Sequence, residues 1–355
     1  MIAKKSLVAV AALLAAAGAA QAQSSVKLYG LVDMGVASLE LAHGKVESGR
    51  TTQVTSGAMT TSFIGFAGVE DLGGGLKAEF TLESFIGADT GANVKNMAGQ
   101  FWSRASNVAL SGGFGKVALG QYDNPLFTSG YTYNPFGSSM VVSPTMRHFY
   151  SGGDAASLGF DTGWVNSVTY ESPNLQGFNF VAQAALKEAA GSSNKNSYAL
   201  AGSYNAGPLS AMLTYVKAGY TAAGVNGTAP DLVYPYGKDQ KVWNLGASYD
   251  FGVAKAFLQY TDAKTTREQT DVVDYKNRIY QVGASIPLND KAAVMVSFGQ
   301  NKYSEAGFSA KDEVFTVGYD YALSKRTDVY GAFMNNRQSD MESGQSVAVG
   351  IRHNF

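Results

Sequence analysis

Catalysis near neutral pH needs side chains that trade protons, attack carbon or phosphorus, or hold a metal, and this chain offers few in useful company. Its three histidines, His43, His148 and His353, lie in unrelated contexts, and cysteine is absent. His43 falls in a polar stretch, His148 follows Arg147 in an aromatic-rich segment, and His353 shares the alternation of Phe355. A membrane-embedded hydrolase would need a histidine base, a serine nucleophile and an orienting polar group. His353 has no serine in a recognisable nucleophile setting beside it, so no catalytic residue is assigned and an enzyme is not expected. No spacing of histidines and carboxylates fits a transition-metal site, and no cofactor is implied.

The glycine-rich stretches do no better. "GGFGKV" at 112–117 has Val117 where a phosphate-binding loop needs a hydroxyl, and a strand pattern follows where a helix is required. "EDLGGG" at 70–75 reads as a turn whose Glu70 and Asp71 are solvated, and "NGT" at 226–228 has only the form of a glycosylation sequon.

Elements must therefore carry the function. "MIAKK", then "SLVAVAALLAAAGAA", then Ala20-Gln21-Ala22 form a basic start, a short apolar run and a small-residue cleavage site. Residues 1–22 are expected to be a cleaved signal peptide. Without Lys4 and Lys5 the 27 basic residues fall to 25 against 28 acids, so the exported chain carries a charge near −3. That excludes a basic nucleic-acid face. Without cysteine no disulfide can staple the fold. Glycine (41), tyrosine (20) and phenylalanine (19) are abundant and proline (8) is scarce, which suits long paired strands joined by turns.

Alternation of period two recurs along the chain. In "LKAEFTLES", Leu76, Ala78, Phe80 and Leu82 oppose Lys77, Glu79, Thr81 and Glu83; "VNSVTYES" and "EVFTVGYDYAL" behave alike. Short turns near 70–75, 112–115, 172–177, 205–208, 250–252, 287–290 and 323–326 alternate with longer polar connections centred near 44, 92, 140, 191, 228, 268, 306 and 340. This rhythm predicts sixteen strands of about 9–13 residues, the length of tilted transmembrane strands. The expected fold is all-β: one 16-stranded antiparallel transmembrane barrel over 23–355, closed because hydrocarbon cannot satisfy open edges. A barrel of that width encloses water. The final "SVAVGIRHNF" alternates to its last residue, so Phe355, with Ile351 on the same face, is expected in a strand that closes against the one containing Tyr29.

"VKLYGLVDMGV", "SFIGFAGVEDLGGGLKAEFTLES", "SRASNVALSGGFGKVALGQYDNP", "NSVTYESPNLQGFNF" and "VGIRHNF" together resemble the trimeric general porins of beta-proteobacterial outer membranes. The resemblance implies passive diffusion of ions and small hydrophilic solutes through an outer-membrane homotrimer in contact with lipid. It implies external long loops, a third loop folded into the lumen, and a terminal aromatic read by the barrel assembly machinery. That third connection runs from about 123 to 163 and is rich in aromatics. Arginines commonly line the wall opposite such a loop. Arg104 matches, whereas Phe63, Gln121 and Gly163-Trp164 stand where others are usual. Lys77, Glu79, Arg104, Asp123 and Arg147 are the expected constriction residues, with Glu83 and Glu171 adding mixed charge. Weaker anion preference than the family habit, near neutral or mildly cationic, is expected. The competing reading is a substrate-selective channel, with Phe127, Tyr131, Tyr133, Phe136, Phe149 and Tyr150 as a stacking track.

Overall fold

The computed structural model describes residues 25–44, 49–94, 100–151, 158, 161–187, 195–219, 237–267 and 273–355. The expected signal peptide, the sequon and the connections near 191, 228 and 268 lie outside them. Seventeen strand segments form one antiparallel sheet. The first is β1 (Ser25–Leu39), followed by β2 (Thr51–Ser56), β3 (Phe63–Gly73), β4 (Leu76–Phe85), β5 (Ala105–Gly112) and β6 (Gly115–Asp123). Then come β7 (Gly163–Glu171), β8 (Phe178–Ala185), β9 (Ser197–Ala206), β10 (Leu209–Gly219), β11 (Gly237–Asp250) and β12 (Lys255–Arg267). The last are β13 (Val273–Asn289), β14 (Ala292–Glu305), β15 (Phe308–Ala322), β16 (Thr327–Gln338) and β17 (Gly344–Asn354).

The two faces are inverted relative to a water-soluble sheet. Asn244, Thr261, Asn277, Gln281, Ser297, Asn301 and Thr316 are buried, while their strand neighbours Leu245, Tyr260, Tyr280, Val282, Phe298 and Phe315 are exposed. Apolar residues facing outward with polar ones behind are the signature of a barrel whose outer solvent is hydrocarbon. The sheet closes: Leu31↔Asn354 through Ser38↔Val347 join β1 to β17, and β1 pairs on its other side with β2 and β3. Phe355 adds the last rung, its N–H donating to Gly30 O (3.1 Å) and its carbonyl accepting from Gly30 N (3.2 Å). A side chain at Gly30 would meet the Phe355 ring at 2.6 Å, so the bare position lets the terminal ring lie flat on β1. The ring of pairings is unbroken, with β3 joining β1 to β4 while β2 pairs with β1 alone.

Seventeen segments make sixteen staves, because β2 and β3 are one stave interrupted. β1 pairs with β2 up to Met34↔Ser56 and with β3 from Leu31↔Phe63, while residues 57–62 leave the sheet. Gly57 permits the departure with φ +79°, and its N–H donates to Asp33 O at 2.9 Å. The longer connection expected near 306 is instead a two-residue turn, Ala306–Gly307, with Gly307 at φ +80°. The polar residues around it are strand: Glu305↔Phe308 and Tyr303↔Ala310 are in register. β13 and β15, at 17 and 15 residues, exceed the roughly 9–11 that cross hydrocarbon, so their ends turn polar where they leave it.

Candidate functional site

The connection between β6 and β7, residues 124–162, holds helix α1 (Pro125–Thr132), the single turn α2 (Pro144–Met146) and a wide turn at Arg147–Ser151. Asn124 starts it: its side chain accepts from Leu126 N and Phe127 N, capping the helix that Pro125 opens. Its own N–H donates to Thr162 O (2.9 Å), which ties the two ends together.

From there the segment reaches across to distant strands. Ser129 Oγ donates to Asn244 Oδ1 (2.5 Å), and Gln259 Nε2 donates to the carbonyls of Gly130 (3.1 Å) and Tyr133 (3.0 Å). The Tyr133 and Ser210 hydroxyls are 2.9 Å apart, Thr316 Oγ1 donates to Val142 O (2.7 Å), and Ser139 Oγ donates to Ala58 O (2.7 Å). Every strand partner lies on the polar face. Four glycines on that face make room: a Cβ on Gly246 would strike the Tyr133 ring, and on Gly283, Gly299 and Gly318 it would sit 2.7–2.8 Å from Pro135, Pro144 and Phe136. Phe127, Tyr133, Phe136 and Phe149 are all buried in this packing.

Arg147 and His148 share that fate. Arg147 is 7 % exposed and its Nη1 reaches Val141 O at 3.4 Å. His148 is fully buried with Nδ1 3.6 Å from the Asp312 carboxylate. Burial holds both below their ordinary pKa, partly opposed by the Asp312 charge.

Two groups of charge lie beside the segment, one on the wall at its root and one at the closing seam where its middle docks. On β1–β6, Arg104 pairs with Glu83, and Tyr29 donates its hydroxyl to the same carboxylate (2.5 Å). The guanidinium lies 4.4 Å from the centroid of the Phe63 ring and 5.8 Å from that of Phe85. Further along, Lys116 Nζ donates to Glu79 (2.7 Å), Ser111 donates to Glu79, and Tyr122 donates to Glu171 (2.8 Å). At the closing seam, Asp33 is fully buried and accepts from Met59 N (2.9 Å), Thr60 N (2.7 Å) and the Tyr330 hydroxyl (2.6 Å). Asp33 therefore holds the excursion 57–62 in place, and Ser139 docks on that excursion. Beside it Arg352 pairs with Asp320 and Asp328, each at 2.8 Å, and donates to Thr60 Oγ1 (3.2 Å).

The expected constriction residues are thus not one cluster. Arg104 is paired to Glu83. Glu79 belongs to a separate pair with Lys116. Lys77 is exposed near the short-turn end, six residues from Glu83 and so about 20 Å away along β4. Asp123 ends β6 opposite Gly163, at the root of the segment. Tyr29 is one residue short of the terminal rung, with its side chain on the opposite face, at Glu83, while Ile351 opposes Met34 within the closing ladder. Asp33, Asp320, Asp328 and Arg352 were not singled out from the sequence. Their signal was available, since Asp33 in "LVDMGV" and Arg352 in "GIRHNF" fall on the inward alternation of otherwise apolar strands.

A sequence model of the Gram-negative porins matches residues 9–341. The chain belongs to the Gram-negative porin family. It is 36 % identical to outer membrane porin protein 32 of Delftia acidovorans, over 99 % of this chain and all of that one. It is 28 % identical to the major outer membrane protein P.IB of Neisseria lactamica over the same shares. Among solved structures, the anion-selective porin from Comamonas acidovorans superposes with a TM-score of 0.76 at 31 % identity, covering 94 % of this chain and 100 % of that one. The protein is an outer-membrane porin, a closed barrel through which ions and small hydrophilic solutes diffuse.

Proposed function

We propose that residues 124–151, the described part of the connection between β6 and β7 that carries its helices, lie inside the barrel and narrow it, and that solutes pass by size through a gap bordered by paired charges. The observation that carries this is the set of hydrogen bonds from Ser129, Gly130, Tyr133 and Val142 to the polar face of β10–β12 and β15, with Ser139 on the excursion beside β1. One connection touching both the middle strands and the seam has a short route only through the interior.

Charge then sets ion preference. Arg104 and Lys116 each have a carboxylate partner, and Arg352 faces Asp33, Asp320 and Asp328. No row of unmatched arginines stands on these walls among the described residues. The Comamonas porin is named anion-selective; in this chain the balance supports weak preference for cations. The substrate-selective alternative draws on the aromatics of the segment. Burial of four of them, Phe127, Tyr133, Phe136 and Phe149, supports a packing role instead.

The long-loop end is assigned to the outside, the first 22 residues to a cleaved leader, the functional unit to three copies, and Phe355 to recognition by the assembly machinery. These four assignments follow from the resemblance and from the residue patterns that carry it. Single-channel recording with neutral solutes of graded size tests the pore. A smooth size cut-off that relaxes on deleting 135–141 is expected, whereas saturable, competitively blocked flux through an unchanged gap would favour the selective channel.

A further inference from the structure

The tip of the 124–151 segment roofs a cavity of about 460 Å³ at the short-turn end of β11–β13. Register sets its floor. Asp250 stands opposite Lys255, and Lys255 opposite Ser285, so an acid, a base and a hydroxyl follow one another across three strands. Two residues along each strand, Ser248, Phe257 and Gly283 form the next rung on the same face. Neighbouring strands are about 4.8 Å apart, which anchors the carboxylate and the ammonium side by side.

Neighbours at that spacing could close on each other, yet among the described residues no ion pair joins them. The Lys255 ammonium lies 5.3 Å from the centroid of the Phe257 ring instead, and Asp250 is exposed, with one oxygen accepting from Gly252 N (2.8 Å). The Ser285 hydroxyl has no protein partner among the described residues. The roof, by contrast, is fully braced. Asn134 donates to the carbonyls of Gly130 (2.6 Å) and Gly137 (2.9 Å) and accepts from Phe136 N (2.8 Å) and Ser143 Oγ (3.1 Å). That uses both amide hydrogens and both lone pairs, so the tip is held in shape before any solute arrives. Pro135 rests over the bare Gly283 and, with Pro287, gives the cavity an apolar side.

An unpaired ammonium, an unpaired carboxylate and a hydroxyl in one rung, beside two proline rings, match a molecule that carries both charges a few bonds apart and an apolar group. We propose that this cavity binds the zwitterion of a free α-amino acid with an apolar side chain: its carboxylate at Lys255 and Ser285, its ammonium at Asp250, its side chain against Pro135 and Pro287. A simple anion at Lys255 meets the Asp250 charge next to it, and a simple cation at Asp250 meets Lys255, so each is disfavoured where the zwitterion is not. A zwitterion has no net charge, so the ion preference of the gap does not oppose its entry. The proposal rests on the segment lying inside the barrel.

The test is binding of L-phenylalanine to the full folded porin in detergent micelles, followed by saturation-transfer NMR as an apparent Kd. Wild type should bind it saturably, and glycine should displace it. Phenylacetate and phenethylamine, each with one of the two charges, should bind at least about tenfold more weakly. Lys255→Gln and Asp250→Asn should each weaken phenylalanine binding by a similar factor, the Asn keeping an acceptor for Gly252 N. Lys291→Gln, on the β13–β14 turn, should leave it unchanged. No saturable binding to wild type, phenylacetate held as tightly as phenylalanine, undiminished binding to the two variants, or loss with Lys291→Gln would each overturn the proposal. The solute size cut-off reads the segment separately. A cut-off that relaxes on deleting 135–141, in a porin that binds no phenylalanine, removes the amino-acid site alone; an unchanged cut-off removes the placement of the segment.

Discussion

Arg104 stands near the root of the segment between β6 and β7, Arg352 beside the excursion on which the middle of that segment docks, and the two are treated differently. Arg104 has one carboxylate, Glu83, and lies against the ring of Phe63; Arg352 faces two bonded carboxylates and the nearby Asp33. The first wall is matched one to one, and the seam is acidic in excess. The difference teaches that a count of arginines does not give the field in a pore. What counts is which carboxylates each one meets, because an ion pair presents a dipole where a lone guanidinium presents a charge.

The seam should be the more sensitive wall. Asp33→Ala leaves the Met59 and Thr60 N–H groups and the Tyr330 hydroxyl without their acceptor, at about 1–3 kcal/mol for each group left buried and unpaired. Heat or urea unfolding of the reconstituted barrel should show a large loss of stability, and the segment released from Ala58 should give noisier, larger conductance. Wild-type stability in this variant would remove Asp33 from its clamping role. Arg352→Gln comes next: with three acids unopposed, the cation-to-anion permeability ratio should rise several-fold. On the other wall a smaller and opposite shift is expected from Glu83→Gln, which frees Arg104 to attract anions. Arg104→Gln should move selectivity toward cations by a similar modest amount with little effect on folding, read in the same salt gradient. If the Arg104 and Arg352 variants shift by equal amounts, the contrast between the walls fails.

The smallest effect concerns pH. His148 is buried and its pKa is lowered, so the folded state prefers the neutral ring. Docking of the segment should be at full strength above the ordinary histidine pKa, about 6.5. It should weaken as pH falls below that value, because the undocked form then takes up the proton more readily. His148→Gln should flatten this dependence in conductance noise recorded between about pH 7 and pH 4; an unaltered profile assigns the titration elsewhere.

Much of the barrel was legible because its physics is local. A strand of period two names its own faces, and the terminal Phe355 announced a strand held to the last residue. The interrupted stave was not legible. "TSGAMTTSF" gives no sign of leaving the sheet, since the reason is Asp33, more than twenty residues earlier. The turn at 306 was misjudged because polar composition reads as loop, whereas strands that outrun the bilayer also become polar. The charged wall was legible only in part. Arg104 and Glu83 were both visible as inward residues, but their pairing depends on β4 lying beside β5, where Glu83 is in register with Ala105. Arg147 looked like a free lumen charge from its neighbours in sequence; only the packing of the segment shows it buried.

The central claim is that paired charges leave this channel without the strong anion preference an arginine-lined gap would create. The direct measurement is the reversal potential of the wild-type protein across a planar bilayer separating two concentrations of potassium chloride. The account predicts a small potential of the sign given by excess cation flow. A large potential of the opposite sign, growing as salt is lowered, would contradict it.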